Sequence, residues 1–282
     1  MILAFISALA SAGGVIVDKL LLTKQRISVP VLLTIGFILI AGITAILTPF
    51  LGAVDWDLAL LPNSLFLLFI MVILAISSNV LYYEGLQQQK VHRHELMMML
   101  APVITILLAA VFYRESLDIR IFWLGMVASV ALLFAKGQKE HFFLDRGSYN
   151  TFLAVVLLSA ESIVIRELLY SYTPVALYAI RTAILAGFFM LYYRPRYSAV
   201  TISHWWMIAG SSLLGVILML TRYYAFAELG IIYTMLVLVI SPMIVYFASW
   251  EMLNERIRPR VLVAAVVILT CVTLASTILF NK

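Results

Sequence analysis

The sequence predicts an all-α integral membrane protein with ten transmembrane helices, arranged as two inverted five-helix repeats. Of the 282 residues, 64% are hydrophobic and only 12% are charged. The mean hydropathy of +1.08 lies far outside the usual range of soluble domains. Apolar stretches long enough to cross a bilayer recur along the whole chain, which leaves no room for a soluble domain.

Each predicted span is an apolar stretch of about 20 residues, the length that a helix needs to cross the hydrocarbon core. Short segments rich in charge, Pro or Gly separate the spans. We predict spans at approximately 2–20, 29–50, 64–86, 93–113, 119–136, 149–168, 174–193, 204–226, 232–252 and 259–280.

Internal similarity divides the chain into two halves. Pro102 and Glu115 recur as Pro242 and Glu255, each 140 residues later, which is the mark of a duplicated unit. Earlier in each half, residues 14–21 resemble residues 162–169, since both are apolar segments with two adjacent charged residues. This match pairs the first span with the sixth.

We therefore expect a first repeat over 1–137, a connecting loop over 138–147 and a second repeat over 148–280. An odd number of helices in each repeat requires that the second repeat be inverted relative to the first.

Basic residues are distributed unevenly between the two sides of the predicted spans. Leaving aside Arg181, which lies within a span, thirteen Lys and Arg residues fall on one side and five on the side that carries the termini. The positive-inside rule then places both termini outside the cytoplasm. The net charge of +5 reflects this topology, because no basic stripe of the kind that binds nucleic acid is present.

Two short motifs identify a family. Residues 100–103 read LAPV and residues 112–117 read FYRESL, and the second half repeats the pattern as ISPM at 240–243 and MLNERI at 252–257. This pattern resembles the signature of EamA-type members of the drug/metabolite transporter superfamily, and the resemblance extends over the full length. It implies an exporter or permease with a central cavity between the halves, in the cytoplasmic (inner) membrane of a prokaryote.

Two charged residues lie deep within predicted spans. Glu161 and Arg181 are each ten residues from Ser171 in the connecting loop, so an antiparallel hairpin places them at the same depth. A charge inside the bilayer requires a partner or a function. The pair is either a coupled site at the cavity wall or a structural salt bridge that fixes the register of the two helices.

A second set of candidate cavity residues lies near the ends of the third and eighth spans. Hydroxylated rings, an amide and charged groups can line a polar cavity, although Tyr at helix ends also forms the interfacial aromatic belt. These candidates are Asn79, Tyr82, Tyr83, Glu84, Arg222 and Tyr223.

Pro102 and Pro242 occupy equivalent places in the fourth and ninth spans. A proline inside a helix frees a carbonyl and permits a kink. We interpret both as candidate hinges, with a static bend as the alternative.

The sequence does not predict a metal site. His92, His94 and Glu95 lie beside Lys90 and Arg93 and lack the spacing of a zinc-binding helix. We expect a solvated loop there. The single cysteine, in an apolar stretch, forms neither a disulfide nor a cysteine-based metal site.

These patterns favour a secondary transporter of small organic metabolites, such as amino acids or related compounds, that works by alternating access. Its expected partners are the solute, the lipid bilayer and, as a candidate coupling ion, the proton, with Glu161 as the first candidate carboxylate and Glu84 as the second. Facilitated diffusion is equally compatible with the sequence. A flippase for a lipid carrier or lipid-linked sugar is the alternative function.

We expect no cofactor and no ATP binding, because no Gly-rich phosphate loop with its Lys is present. The sequence also lacks a nucleophile motif and an acidic metal cluster, so an intramembrane enzyme is not favoured.

Overall fold

The computed structural model describes residues 2–89, 94, 97–98, 100–113, 118–135, 146–195, 200–239, 241 and 259–280. These ranges are almost entirely helical. The described part contains no β-strand, and its β-type pairing is an isolated antiparallel bridge between Val54 and Tyr172.

The described helices follow one another along the chain with short connections. In order they are α1 (Ile2–Thr23), α2 (Val29–Leu51), α3 (Trp56–Ala59), α4 (Pro62–Gln88), α5 (Leu100–Phe112), α6 (Ile119–Ala135), α7 (Arg146–Leu168), α8 (Pro174–Tyr193), α9 (Ile202–Leu229), α10 (Ile231–Leu238) and α11 (Pro259–Phe280).

Every predicted span overlaps a described helix. Of these helices, α1, α2, α4, α8 and α9 are long and apolar enough to cross a membrane, and shorter apolar segments lie in α5, α6 and α11. The prediction of an all-helical membrane protein is therefore confirmed, and the count of ten spans stays a prediction.

The outward-facing surface is that of a protein in lipid. Large apolar side chains that a soluble protein would bury are more than half exposed on several helices. Examples are Phe50, Phe66, Phe69, Trp123 and Trp206. Exposed apolar area on this scale marks contact with membrane or with another protein, and four of these five side chains lie on helices with the length and hydropathy of membrane spans, the fifth, Trp123, on a shorter apolar helix.

Local sequence explains where several helices begin and end. Proline occupies one of the first two positions of α2, α4 and α8, where its missing N–H costs nothing. The short helix α3 was not predicted; the Asp55 carboxylate caps it by accepting hydrogen bonds from the backbone N–H groups of Asp57 and Leu58. Gly230 separates α9 from α10 with a φ of 77°, a conformation that favours glycine.

One boundary differs from the prediction. Helix α7 begins at Arg146, within the segment predicted to be a loop over 138–147. The structure buries small and polar residues in the first two turns of this helix, and these are Gly147, Ser148, Asn150 and Thr151.

The most extensive packing joins the two halves of the chain. The largest helix–helix interfaces are α4 with α7, α1 with α9, α2 with α8, and α6 with α11. Each of these pairs takes one helix from the first predicted repeat and one from the second. The interior of the protein is therefore built at the boundary between the halves.

Helices α4 and α7 approach each other closely at Gly85. A Cβ placed there would lie 2.2 Å from the Thr151 Oγ1 atom and 3.3 Å from the carbonyl oxygen of Gly147. Thr151 has little freedom to move away, since its hydroxyl donates to the Gly147 carbonyl (3.0 Å) and accepts from Gln89 Nε2 (3.2 Å).

We expect Gly85→Ala to destabilise the protein by about 1–3 kcal/mol, the usual cost of overpacking a tight interior. Gly187→Ala is the matched control, because nothing lies within 4 Å of the added methyl group and alanine favours the helix. Thermal unfolding of the purified protein in detergent measures both effects. Equal melting temperatures for the two variants would contradict the close approach.

Candidate functional site

A cavity of about 240 Å³ lies between the two halves. Residues of α1, α2, α4, α5, α7, α8, α9 and α10 contribute to its walls. Most of the wall area is apolar, and polar and charged side chains from several helices interrupt it, which is the usual composition of a small-molecule site.

The structure brings most of the predicted site residues to this cavity. The predicted residues in its walls are Asn79, Tyr82, Tyr83, Pro102, Arg181 and Arg222. Glu84, Glu161 and Tyr223 are absent from the lining, and Pro242 lies outside the described residues. For all of them a role in transport remains a prediction.

Glu161 and Arg181 form a buried ion pair. Arg181 Nε donates to Glu161 Oε1 over 2.6 Å, and the two side chains are 2% and 3% exposed. The second carboxylate oxygen lies 3.5 Å from the Ser78 hydroxyl of α4. The pair therefore connects α7 and α8 at one depth, with the guanidinium at the cavity wall and the carboxylate behind it.

Asp18 is a cavity residue that the sequence analysis did not single out. It lies in α1, is buried, and faces the cavity. Tyr83 of α4 donates to its Oδ2 atom over 3.1 Å, and Ser211 of α9 donates to Oδ1. Asp18 thus connects three helices from both halves. An acid within a predicted span was the available signal.

Arg222 reaches the cavity from α9. Its Nε is buried and has no hydrogen-bond partner in the described part of the protein. It is close enough to Glu161 and Arg181 to interact electrostatically with both. The neighbouring Tyr223 is fully buried beneath the wall, where its ring makes an edge-to-face contact with Tyr178 at 5.6 Å.

Glu84 belongs to a polar layer at one end of the α4–α7 interface rather than to the cavity. Asn150 Nδ2 donates to Glu84 Oε2 over 2.9 Å. Nearby, the Lys19 ammonium of α1 donates to the backbone carbonyls of Leu86 and Gln89 at the end of α4. A cation at a helix C-terminus satisfies carbonyls that have no partner within the helix.

The prediction of a solvated loop is wrong for His94. Its side chain is 0% exposed, its Nδ1 lies 3.1 Å from Thr151 Oγ1, and its ring packs edge-on against Tyr82 at 4.8 Å. The basic neighbours in the sequence suggested exposure, but the polar layer of α4 and α7 supplies partners for a buried imidazole. His92 and Glu95 lie outside the described residues. No metal-binding cluster of three His, Cys, Asp or Glu residues occurs in the described ranges.

Pro102 is buried near the start of α5 and contributes to the cavity wall. The preceding carbonyl, that of Ala101, accepts a hydrogen bond of 3.2 Å from the Ser159 hydroxyl of α7. This bond ties α5 to α7 next to the proline. A hinge at Pro102 stays a prediction.

Comparisons with known proteins agree with this arrangement. The model of the EamA-like transporter family matches residues 1–135 and 146–277. No curated protein matches the chain. Among solved structures, one described only as the crystal structure of a protein is 14% identical and superposes with a TM-score of 0.67, covering 96% of this chain and 98% of that chain. This similarity shows a shared fold.

The family match spans both halves and nearly the whole length. Members of this family are membrane transporters, and the apolar helices and the cavity between the halves suit that role. The chain belongs to the EamA-like transporter family, within the drug/metabolite transporter superfamily.

Proposed function

We propose that the protein is a secondary transporter that moves a small organic metabolite, such as an amino acid or a related compound, by alternating access. The observation that carries this proposal is the cavity at the boundary between the halves, with polar groups from both of them facing a mostly apolar interior. A solute held there contacts both halves, so a movement of one half against the other changes the side from which the solute is reached.

The pattern of helix packing supports such a movement. If the first span corresponds to the sixth and the third to the eighth, exchanging the halves converts the α4–α7 interface into the α9–α1 interface. The α2–α8 and α6–α11 interfaces are each converted into themselves. Packing of this kind is what two inverted repeats related by a two-fold axis produce.

We also propose that a proton is the coupling ion and that Asp18 carries it. Glu161 and Glu84, the candidates from the sequence, are held by Arg181 and Asn150 away from the cavity lining. Among the described residues, Asp18 is the acid in the cavity wall. The polar groups that face it from the other helices are Tyr83 of α4 and Ser211 of α9, and neither is a fixed charge.

Solute counterflow in proteoliposomes tests the transport function. We expect at least one radiolabelled amino acid or related metabolite to exchange through the purified protein. We also expect Ser11→Leu, which fills the cavity from α1, to abolish that exchange at an unchanged melting temperature. Thr277→Leu adds a similar side chain on the exposed surface of α11 and serves as the control.

Two results would contradict the proposal. Exchange in Ser11→Leu equal to that in Thr277→Leu would place the pathway elsewhere. Activity toward lipid-linked sugars alone, measured as their movement between leaflets, would identify a flippase instead.

A further inference from the structure

Arg222 is a cavity cation whose charge has no exclusive partner in the described part of the protein. The nearby acid is Glu161, and its two oxygens already face Arg181 at 2.6 Å and the Ser78 hydroxyl at 3.5 Å. Glu161, Arg181 and Arg222 therefore carry one negative and two positive charges. The net charge of these three side chains is therefore +1, and the part of the cavity wall beside them is positively charged.

Asp18 does not balance that charge. Its oxygens are bound to Tyr83 and Ser211. Ser211 and Arg222 are eleven residues apart on α9, which separates them by roughly 16 Å along the helix axis. The two ionisable groups therefore define separate positions along the cavity.

A guanidinium in this setting requires an anion. Desolvating an unpaired charge is costly, and arginine presents five donors in a fork that matches carboxylate and phosphate oxygens. Arg222 Nε is buried and has no partner, and the same is true of Thr105 Oγ1. Both residues line the cavity, Arg222 from α9 and Thr105 from α5.

The surroundings of this position suit the remainder of an organic molecule. Tyr178 and Met219 also line the cavity, and Met235 contributes from α10. Aromatic and thioether side chains make favourable contacts with apolar groups without dictating one shape.

We propose that Arg222 is the anion-binding residue of the transported solute, and that the solute carries a carboxylate or phosphate group which Arg222 and Thr105 bind. This inference rests on the proposed transport function and specifies the chemical class of its solute. It assigns the anion and the coupling proton to different places, Arg222 and Asp18.

Matched ligand pairs test the assignment. Purified full-length protein in detergent is titrated with free amino acids, with the methyl esters of the same amino acids and with inorganic phosphate. Short-chain phosphatidylglycerol provides a lipid source of the same anionic group. A ligand that binds the native state raises its melting temperature.

We expect stabilisation by a free acid or by phosphate, and none by the ester of that acid. Arg222→Gln is expected to weaken binding of the anion about tenfold or more, as the loss of a charge-assisted hydrogen bond predicts. Arg222→Lys keeps the positive charge but loses the forked set of guanidinium donors. Its affinity for the anion is expected to fall between that of the wild type and that of Arg222→Gln. Arg120→Gln removes an arginine whose side chain is 66% exposed and is the matched control.

The outcomes separate this inference from the transport function. The anion-site proposal is wrong if the wild-type protein exchanges a solute but binds the free acid and its ester equally. It is also wrong if Arg222→Gln keeps wild-type affinity at a wild-type melting temperature. The proposed transport function stands in both cases. If no solute exchanges at all, both proposals fail. A third outcome is that phosphatidylglycerol stabilises the wild type but not Arg222→Gln, and that no soluble anion stabilises the protein. The bound anionic group is then a lipid headgroup.

Discussion

Replacing Glu161 by Gln is expected to lower the free energy of unfolding by about 3–5 kcal/mol, the cost of leaving one member of a buried ion pair without its partner. Both side chains are almost fully buried, so water cannot replace the lost carboxylate. The effect is larger than for an isolated pair, because Arg222 also lies near Glu161. Without the acid, two guanidinium groups that repel each other remain.

Arg181→Gln is expected to lower the free energy of unfolding by less than Glu161→Gln. In Arg181→Gln the carboxylate keeps the Ser78 hydroxyl, and Arg222 remains as a nearby cation. A carboxyl group can also take up a proton and become neutral, whereas a guanidinium remains charged. The structure therefore predicts that Glu161→Gln is the more harmful of the two single variants.

Thermal unfolding of the two single variants and of the Glu161→Gln/Arg181→Gln double variant measures this order. We expect the double variant to be more stable than Glu161→Gln, since it carries one uncompensated guanidinium fewer. Arg120→Gln breaks an ion pair from its 66% exposed side and is the control, with an expected change of about 0–1 kcal/mol. Equal losses for Glu161→Gln and Arg120→Gln would contradict a buried pair.

The sequence was sufficient to predict this ion pair because the two residues are neighbours through a hairpin. Only the length of α7, the turn and the length of α8 decide whether Glu161 and Arg181 meet. The same holds for the helices themselves, since the hydrophobic thickness of the bilayer determines where apolar stretches begin and end.

Contacts between the halves were not predictable in this way. The hydrogen bond from Ser211 to Asp18 joins residues 193 positions apart, and no local pattern specifies which face of α9 meets which face of α1. His94 was assigned to a loop for the same reason, because its partners Tyr82 and Thr151 become neighbours only when α4 and α7 pack. Periodicity predicts helices, and packing determines which polar groups meet.

Asp18 lies within the first predicted span, 2–20, but the sequence analysis did not single it out. Its partners, like those of His94, come from helices distant in the chain. Helix α1 continues to Thr23, and α4 and α9 cover the aspartate. Asp18 therefore belongs to the interior of the protein.

Asp18→Asn is expected to abolish uptake driven by a pH gradient while leaving solute exchange intact. Asparagine has almost the same shape. Its side-chain oxygen can accept one of the two hydrogen bonds from Tyr83 and Ser211, and its NH2 group, in place of the other carboxylate oxygen, can donate to the second hydroxyl, so the walls of the cavity should persist. Asparagine cannot, however, bind and release a proton. Coupling then disappears, but alternating access does not.

Proteoliposomes with an imposed pH gradient measure accumulation, and the same vesicles without a gradient measure counterflow. Asp57→Asn removes an acid from the exposed surface of α3 and is expected to behave as wild type in both assays. Gradient-driven accumulation by Asp18→Asn at the wild-type level would assign coupling to another group or to none. Loss of counterflow together with a lower melting temperature would show that Asp18 is structural. If the solute carries a net charge of −1, moving it together with one proton carries no net charge, so uptake by the wild type should be insensitive to membrane potential; a zwitterionic amino acid moved with one proton carries +1, so its uptake should respond to the potential.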